Sequence, residues 1–174
     1  MTASFVTELD CPINTLVLHR ECMRLRKQLN YPSQIGLQST QGNDDWVSAT
    51  GTKTSAHQYC VLNRSLVNTY LAELLEHFPD YYRWRILSLE PRQSYTVHRD
   101  SRGGANTRIH IPVETNADSW LQFWSAPPQS GVANTVTHHR LCVGKVYRVD
   151  TTNYHTAVNW GTTTRVHVVG EQDQ

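Results

Sequence analysis

Hydrophobic positions along this chain change their spacing once, near Pro79. Ahead of it they recur every three to four residues in two places, the spacing that gathers apolar side chains on one face of a helix. Leu16, Val17, Arg20, Met23, Leu25 and Leu29 form an imperfect stripe that predicts a helix over residues 14–29, with Asn14 as its N-cap. Leu66, Thr69, Tyr70, Leu74 and Phe78 predict a second helix, capped by Ser65 and stopped by Pro79. Short alternating stretches at 4–9 and 35–40 read as strands, and Gln-Gly-Asn-Asp-Asp at 41–45 as a loop leading into Trp46. Beyond Pro79 the apolar period falls to two, that of a strand. Segments 82–89, 94–100, 108–113, 120–124, 135–141, 145–149, 154–158 and 165–169 are eight strand candidates separated by Pro, Gly and Asn. Strands of this number and spacing predict a mainly β fold with flanking helices, a jelly roll of two facing sheets buttressed by the N-terminal helices.

At 174 residues the chain is long enough for one continuous core and too short for two ordinary domains. A single domain over 1–174 is expected, with 1–80 as helical and mixed support and 81–170 as the β core. Sixteen Lys or Arg stand against fifteen Asp or Glu, a net charge of +1 that leaves no electrostatic footprint for nucleic acid. Cys11, Cys22, Cys60 and Cys142 lie far apart with no C-x-x-C, which argues against a zinc ribbon or a disulfide framework and for reduced thiols. No window approaches the ~20 apolar residues of a membrane span, and residues 1–18 lack the basic and apolar parts of a signal peptide. A soluble cytoplasmic protein with no membrane partner is the expectation.

Candidate chemistry lies in two stretches, 95–110 and 154–167. His98 and Asp100 are two residues apart, so a strand would send both out of one face. Their best remote partner is His155. Two His and one carboxylate on one side of a metal leave three cis positions open, an arrangement that suits non-haem Fe(II). Arg165 follows His155 by ten residues across the turn-like Asn159-Trp160-Gly161-Thr162, which predicts adjacent strands of a hairpin. An arginine there is a bidentate partner for a carboxylate. Arg108 and His110 share one strand face by the same parity.

The series His98-x-Asp100, then Arg108-x-His110, then His155 with Arg165 ten residues later resembles the Fe(II)/2-oxoglutarate-dependent oxygenases. Within them it is similar to the aspartyl/asparaginyl β-hydroxylase family, which includes proline cis-hydroxylase-like members. The resemblance spans about residues 83–170. It implies a double-stranded β-helix, cupin-like core in which His98, Asp100 and His155 are the catalytic iron ligands and Arg165 holds the distal carboxylate of 2-oxoglutarate. Arg108 and His110 would lie near the cosubstrate's other carboxylate. The implied activity is that of a dioxygenase using Fe(II), 2-oxoglutarate and O2 to hydroxylate an amino-acid group, either an Asp-, Asn- or Pro-type residue in a polypeptide or a free amino acid. Arg102, Asn106, Trp46 and Trp160 would then line the substrate side.

Several other features have plainer readings. Gly103-Gly104-Ala105-Asn106 is either a lid over the site or a hairpin turn. His138 and His139 point to opposite faces of a strand, so they cannot chelate one ion together. His167 has the parity of Arg165 and reads as a core or supporting histidine, while Trp84, Trp120 and Trp124 read as core. A rival function is a non-catalytic, metal-holding jelly-roll binding module, because Zn(II) outcompetes Fe(II) at many such donor sets. Such a module has no use for an anion clamp at Arg165. A cupin-type enzyme working without 2-oxoglutarate would want more His ligands.

Overall fold

The structure is a computed structural model that describes residues 4–51, 55–100, 107–129 and 131–172. In chain order its elements are β1 (Val6–Leu9), α1 (Thr15–Gln28), β2 (Gln34–Gly36), β3 (Gln38–Ser39), β4 (Val61–Leu62), α2 (Tyr70–Glu76), β5 (Tyr81–Leu89), β6 (Gln93–Ser94), β7 (Thr107–Glu114), β8 (Ser119–Trp124), β9 (Val136–His139), β10 (Val146–Asp150), β11 (Tyr154–Asn159) and β12 (Arg165–Gln172). A six-stranded sheet runs β1-β10-β7-β12-β5-β2 and a four-stranded sheet β6-β11-β8-β9, both antiparallel; β3 and β4 pair separately. From β5 onward the chain passes back and forth between the two sheets. Among the described strands of this stretch only β8 and β9 are consecutive partners. That alternation makes the fold a jelly roll, as the eight period-2 segments predict.

Both faces of the larger sheet are buried, and by different chemistry. Its outer face presents Trp84, Ile86, Ile109, Ile111, Val113, Val166 and Val168 to the helices, where Leu18, Cys22, Leu25, Leu71 and Leu74 complete one core. Between the sheets a second, smaller cluster gathers Leu89, Leu121, Phe123, Leu141, Tyr147, Val149 and Ala157. Gly170 is required where β12 passes the indole of Trp84: a Cβ there would lie 2.5 Å from Trp84 Cε2. Gly170→Ala is expected to cost about 1–3 kcal/mol through overpacking, read as a lower denaturant midpoint. An unchanged midpoint would show that the indole moves freely.

Several expected elements differ in detail. Asn14 does cap α1, its side chain accepting from Val17 N at 3.2 Å, but the buried stripe is Leu18, Cys22 and Leu25, and Leu16 is 82% exposed. The second helix is not capped by Ser65. Residues Arg64–Leu66 form a single 3-10 turn, Asn68 takes a positive φ of 65°, and α2 restarts behind Thr69, whose hydroxyl accepts from Ala72 N. The Glu21 carboxylate of α1 then accepts from Tyr70 N and Leu71 N at 3.1 and 2.9 Å, joining the two helices at a charge-favoured N-terminus. The expected strand at 35–40 is broken at Leu37 into β2 and β3, which belong to different sheets. The four cysteines are free. No helix among the described residues is long and apolar enough to cross a membrane.

The expected hairpin between His155 and Arg165 is not formed. β11 belongs to the smaller sheet and β12 to the larger, so residues 160–164 cross between them. Asn159, fully buried, explains the corner: its amide donates to Leu89 O (2.8 Å) on the larger sheet and to Thr163 O (2.9 Å) in the crossing. Its Oδ1 accepts from Asn116 Nδ2 at 2.9 Å and Gly161 N at 3.2 Å. A Cβ on Gly161 would collide with the Asn116 amide at 2.3 Å. The Asn-Trp-Gly-Thr run is therefore a polar joint between sheets.

Candidate active site

His98, Asp100 and His155 are brought together although only His155 lies on a regular strand. β6 ends at Ser94, and the expected strand over 94–100 is not continuous. His98 instead makes one reciprocal backbone pair with His155, N–H to O at 3.0 and 2.8 Å, and Asp100 N donates to Thr151 O at 3.1 Å. These bonds hang the first two residues beside the start of β11. The three ligand atoms all lie within 4.8 Å of one another.

Each imidazole is oriented by a carbonyl two residues before it. His98 Nδ1 lies 2.8 Å from Thr96 O, and His155 Nδ1 lies 2.9 Å from Asn153 O. A carbonyl only accepts, so both rings donate from Nδ1 and turn Nε2 toward Asp100. Nε2 of His98 stands 3.4 Å from Asp100 Oδ1 and Nε2 of His155 stands 3.8 Å from Oδ2. His155 is further held by stacking on Phe123 at 5.7 Å, which itself stacks on Phe5 at 4.9 Å. Burial pushes the His155 imidazole below its ordinary value. Burial alone would raise the Asp100 carboxyl, yet His98 and the Arg108 charge hold it well below the usual carboxylate range.

A row of buried polar side chains leads away from this triad across the inner face of the larger sheet. Arg108 Nε is 3.0 Å from Asp100 Oδ2, and its Nη2 is 2.8 Å from Glu171 Oε1. His110, on the same face of β7, lies with its Nδ1 3.4 Å from His167 Nδ1, and Arg165 Nη2 donates to His167 Nδ1 at 3.0 Å. An arginine has no acceptor, so His167 is neutral with Nδ1 bare. Burial, joined by the charge of Arg165, drives His110 and His167 far below the ordinary histidine value. His110 also feels the charges of Arg108, His155 and Asp100.

Arg165 is buried, and burial brings its guanidinium down to about 10. No carboxylate among the described residues pairs with it. An unpaired cation in such a place is costly unless an anion arrives to meet it. The donor sets therefore fit two groups: two imidazole nitrogens and a carboxylate suit Fe(II), and a buried guanidinium with no carboxylate partner among the described residues suits a carboxylate.

Of the residues expected on the substrate side, Trp46 and Trp160 are not brought to the triad. Trp46 packs against the helix-side core, and Trp160 is 62% exposed, five residues along from His155 and roughly 17 Å away by strand rise. The indole wall expected there is absent, because the run containing Trp160 turns the chain at the far end of β11. Arg102 and Asn106, with the rest of 103–106, lie outside the described residues. Sequence reasoning missed Arg83, Arg85 and Glu171. Their signal was present: Arg83 and Arg85 alternate with Tyr82, Trp84 and Ile86, matching the Arg108-x-His110 and Arg165-x-His167 patterns of the neighbouring strands.

No protein-family model matches the chain, and no curated protein sequence does. Solved structures do share its fold. AviO1 from Streptomyces viridochromogenes Tue57 matches with a TM-score of 0.55 and 16% identity over 97% of this chain and 89% of that one. SnoN, a non-heme alpha ketoglutarate dependent epimerase from nogalamycin biosynthesis, matches with a TM-score of 0.56 and 13% identity over 96% and 76%. An oxidoreductase of the 2OG-Fe(II) oxygenase family from Burkholderia pseudomallei matches with a TM-score of 0.55 and 10% identity over 96% and 84%. At these identities the likeness is one of architecture.

Proposed function

We propose that the protein is an Fe(II)- and 2-oxoglutarate-dependent dioxygenase that hydroxylates an amino-acid group, free or within a peptide, as the resemblance to the aspartyl/asparaginyl β-hydroxylases implies. The reading rests on one conjunction: a His-Asp-His triad anchored by the smaller sheet faces a polar row on the larger sheet that ends at a buried arginine with no carboxylate partner among the described residues. Solved structures of the same fold that carry 2-oxoglutarate chemistry support it. A metal-holding binding module accounts for the triad but leaves Arg165 unexplained.

In this reading His98, Asp100 and His155 hold iron through two Nε2 atoms and one carboxylate oxygen. Iron, 2-oxoglutarate and O2 would supply the oxidation, with cosubstrate leaving as succinate and carbon dioxide. The chain contributes position and dryness. Arg165 meets the distal carboxylate, with His167 fixing its guanidinium. His110 and Arg108 border the cosubstrate's other end, where a neutral His110 offers a hydrogen bond without adding charge. No protein nucleophile is needed.

Succinate formation with Fe(II) and 2-oxoglutarate, measured across a panel of free amino acids and short peptides, tests the assignment. At least one should raise succinate above the substrate-free rate and leave as a product heavier by one oxygen. Succinate coupled to a substrate of unchanged mass would indicate epimerisation, the activity reported for SnoN. No succinate under any condition would remove the oxygenase reading.

A further inference from the structure

Glu171, near the end of β12, has three guanidinium groups on one carboxylate. Arg83 Nη1 donates to Oε2 at 2.8 Å, Arg85 Nη2 donates to Oε1, and Arg108 Nη2 stands 2.8 Å from Oε1. Arg83, Arg85 and Glu171 are all less than a tenth exposed. Arg83 is fixed from behind by the carbonyls of Ala49 and Gly51. Arg108 belongs to two groups at once, since its Nε also lies 3.0 Å from Asp100 Oδ2.

That double engagement decides how Asp100 is presented. A guanidinium left alone with a carboxylate takes both oxygens in a fork. Here Nη2 is drawn to Glu171, and Arg108 meets Asp100 by an Nε to Oδ2 ion-pair contact at 3.0 Å that is not aligned as a hydrogen bond. Among the described residues the guanidinium contact to Asp100 falls on Oδ2, while Oδ1 faces His98 Nε2 at 3.4 Å. Among the described residues three arginines stand against two acids in this largely buried cluster, so losing either acid leaves the cations to converge on the other.

On the strength of the proposed metal site, we infer that Glu171 is a positioning residue for it: by holding Arg108, it keeps one oxygen of Asp100 free for the metal. Glu171 touches no ligand itself and acts through Arg108. Outer partners of this kind typically change metal affinity roughly 10–100-fold when removed.

Cobalt(II), titrated into the purified full chain and followed by calorimetry and visible absorption, gives a readout that does not depend on turnover. Glu171→Gln should weaken Co(II) binding roughly 10–100-fold and alter the absorption band. Adding Arg108→Met to it should recover most of that affinity, because the guanidinium that would close on Asp100 is gone. Equal affinity in wild type and Glu171→Gln would overturn the inference. So would a double variant with no recovery, since the loss would then run through the fold. If Glu171→Gln does not fold, Glu171→Asp keeps the charge but shortens its reach and should show a smaller loss of the same kind; unchanged affinity there also overturns it. A wild-type chain that binds no Co(II) would remove the metal reading itself, a failure distinguishable from that of Glu171 alone.

Discussion

Alanine at His98, Asp100 or His155 is expected to reduce substrate-coupled succinate formation to background in each case, with the fold retained. Three protein donors hold a metal while leaving three positions open for cosubstrate and O2, and removing one leaves an incomplete set. His155 is the most telling position. Its ring is buried, stacked on Phe123 and aimed by Asn153 O, so its loss takes away the best-fixed donor. His98 is held to His155 and Asp100 to Thr151 by backbone bonds that substitution leaves in place. Circular dichroism should therefore be unchanged while metal binding fails. Full turnover in His155→Ala would make the assignment of the remote ligand wrong.

Arg165→Met should move two quantities in opposite directions. A bidentate ion pair lost from a buried site costs about 2–5 kcal/mol, so 2-oxoglutarate affinity should fall roughly thirtyfold or more at 1.4 kcal/mol per decade. Stability without ligand should hold or rise, because the variant removes a buried cation that has no carboxylate among the described residues. Lysine should rescue poorly, lacking the planar fork. Thermal unfolding and 2-oxoglutarate titration of the same sample read both effects. A destabilised variant with unchanged 2-oxoglutarate affinity would mean that Arg165 is a structural cation.

The core of the jelly roll was legible because a two-residue apolar period is a property of single strands, as β8 shows with Ser119, Leu121 and Phe123 buried in alternation, although β6, just Gln93–Ser94, carries no such period. What single strands do not encode is which sheet they join. His155 and Arg165 are ten residues apart whether a hairpin or a crossing separates them; the buried bonds of Asn159 to Leu89 O and Thr163 O select the crossing. The convergence of His98, Asp100 and His155 was legible through the parity of His98 and Asp100, although the structure reaches it by a single backbone pair rather than a strand. Ser65 and Asn68 show a similar limit: helical spacing of Leu66, Tyr70 and Leu74 is compatible with a 3-10 turn, a left-handed residue and a fresh start. Trp46 and Trp160 look alike as loop aromatics, yet one is packed against the helices and the other is in solvent. Glu171 escaped notice because its role depends on arginines contributed by two other strands.

The most direct measurement is the anaerobic titration of 2-oxoglutarate into the protein with and without Fe(II). One equivalent should bind to the iron-loaded chain, far more weakly to the iron-free chain, and to neither form of Arg165→Met with wild-type affinity. An iron-loaded wild-type protein that ignores 2-oxoglutarate would contradict the account.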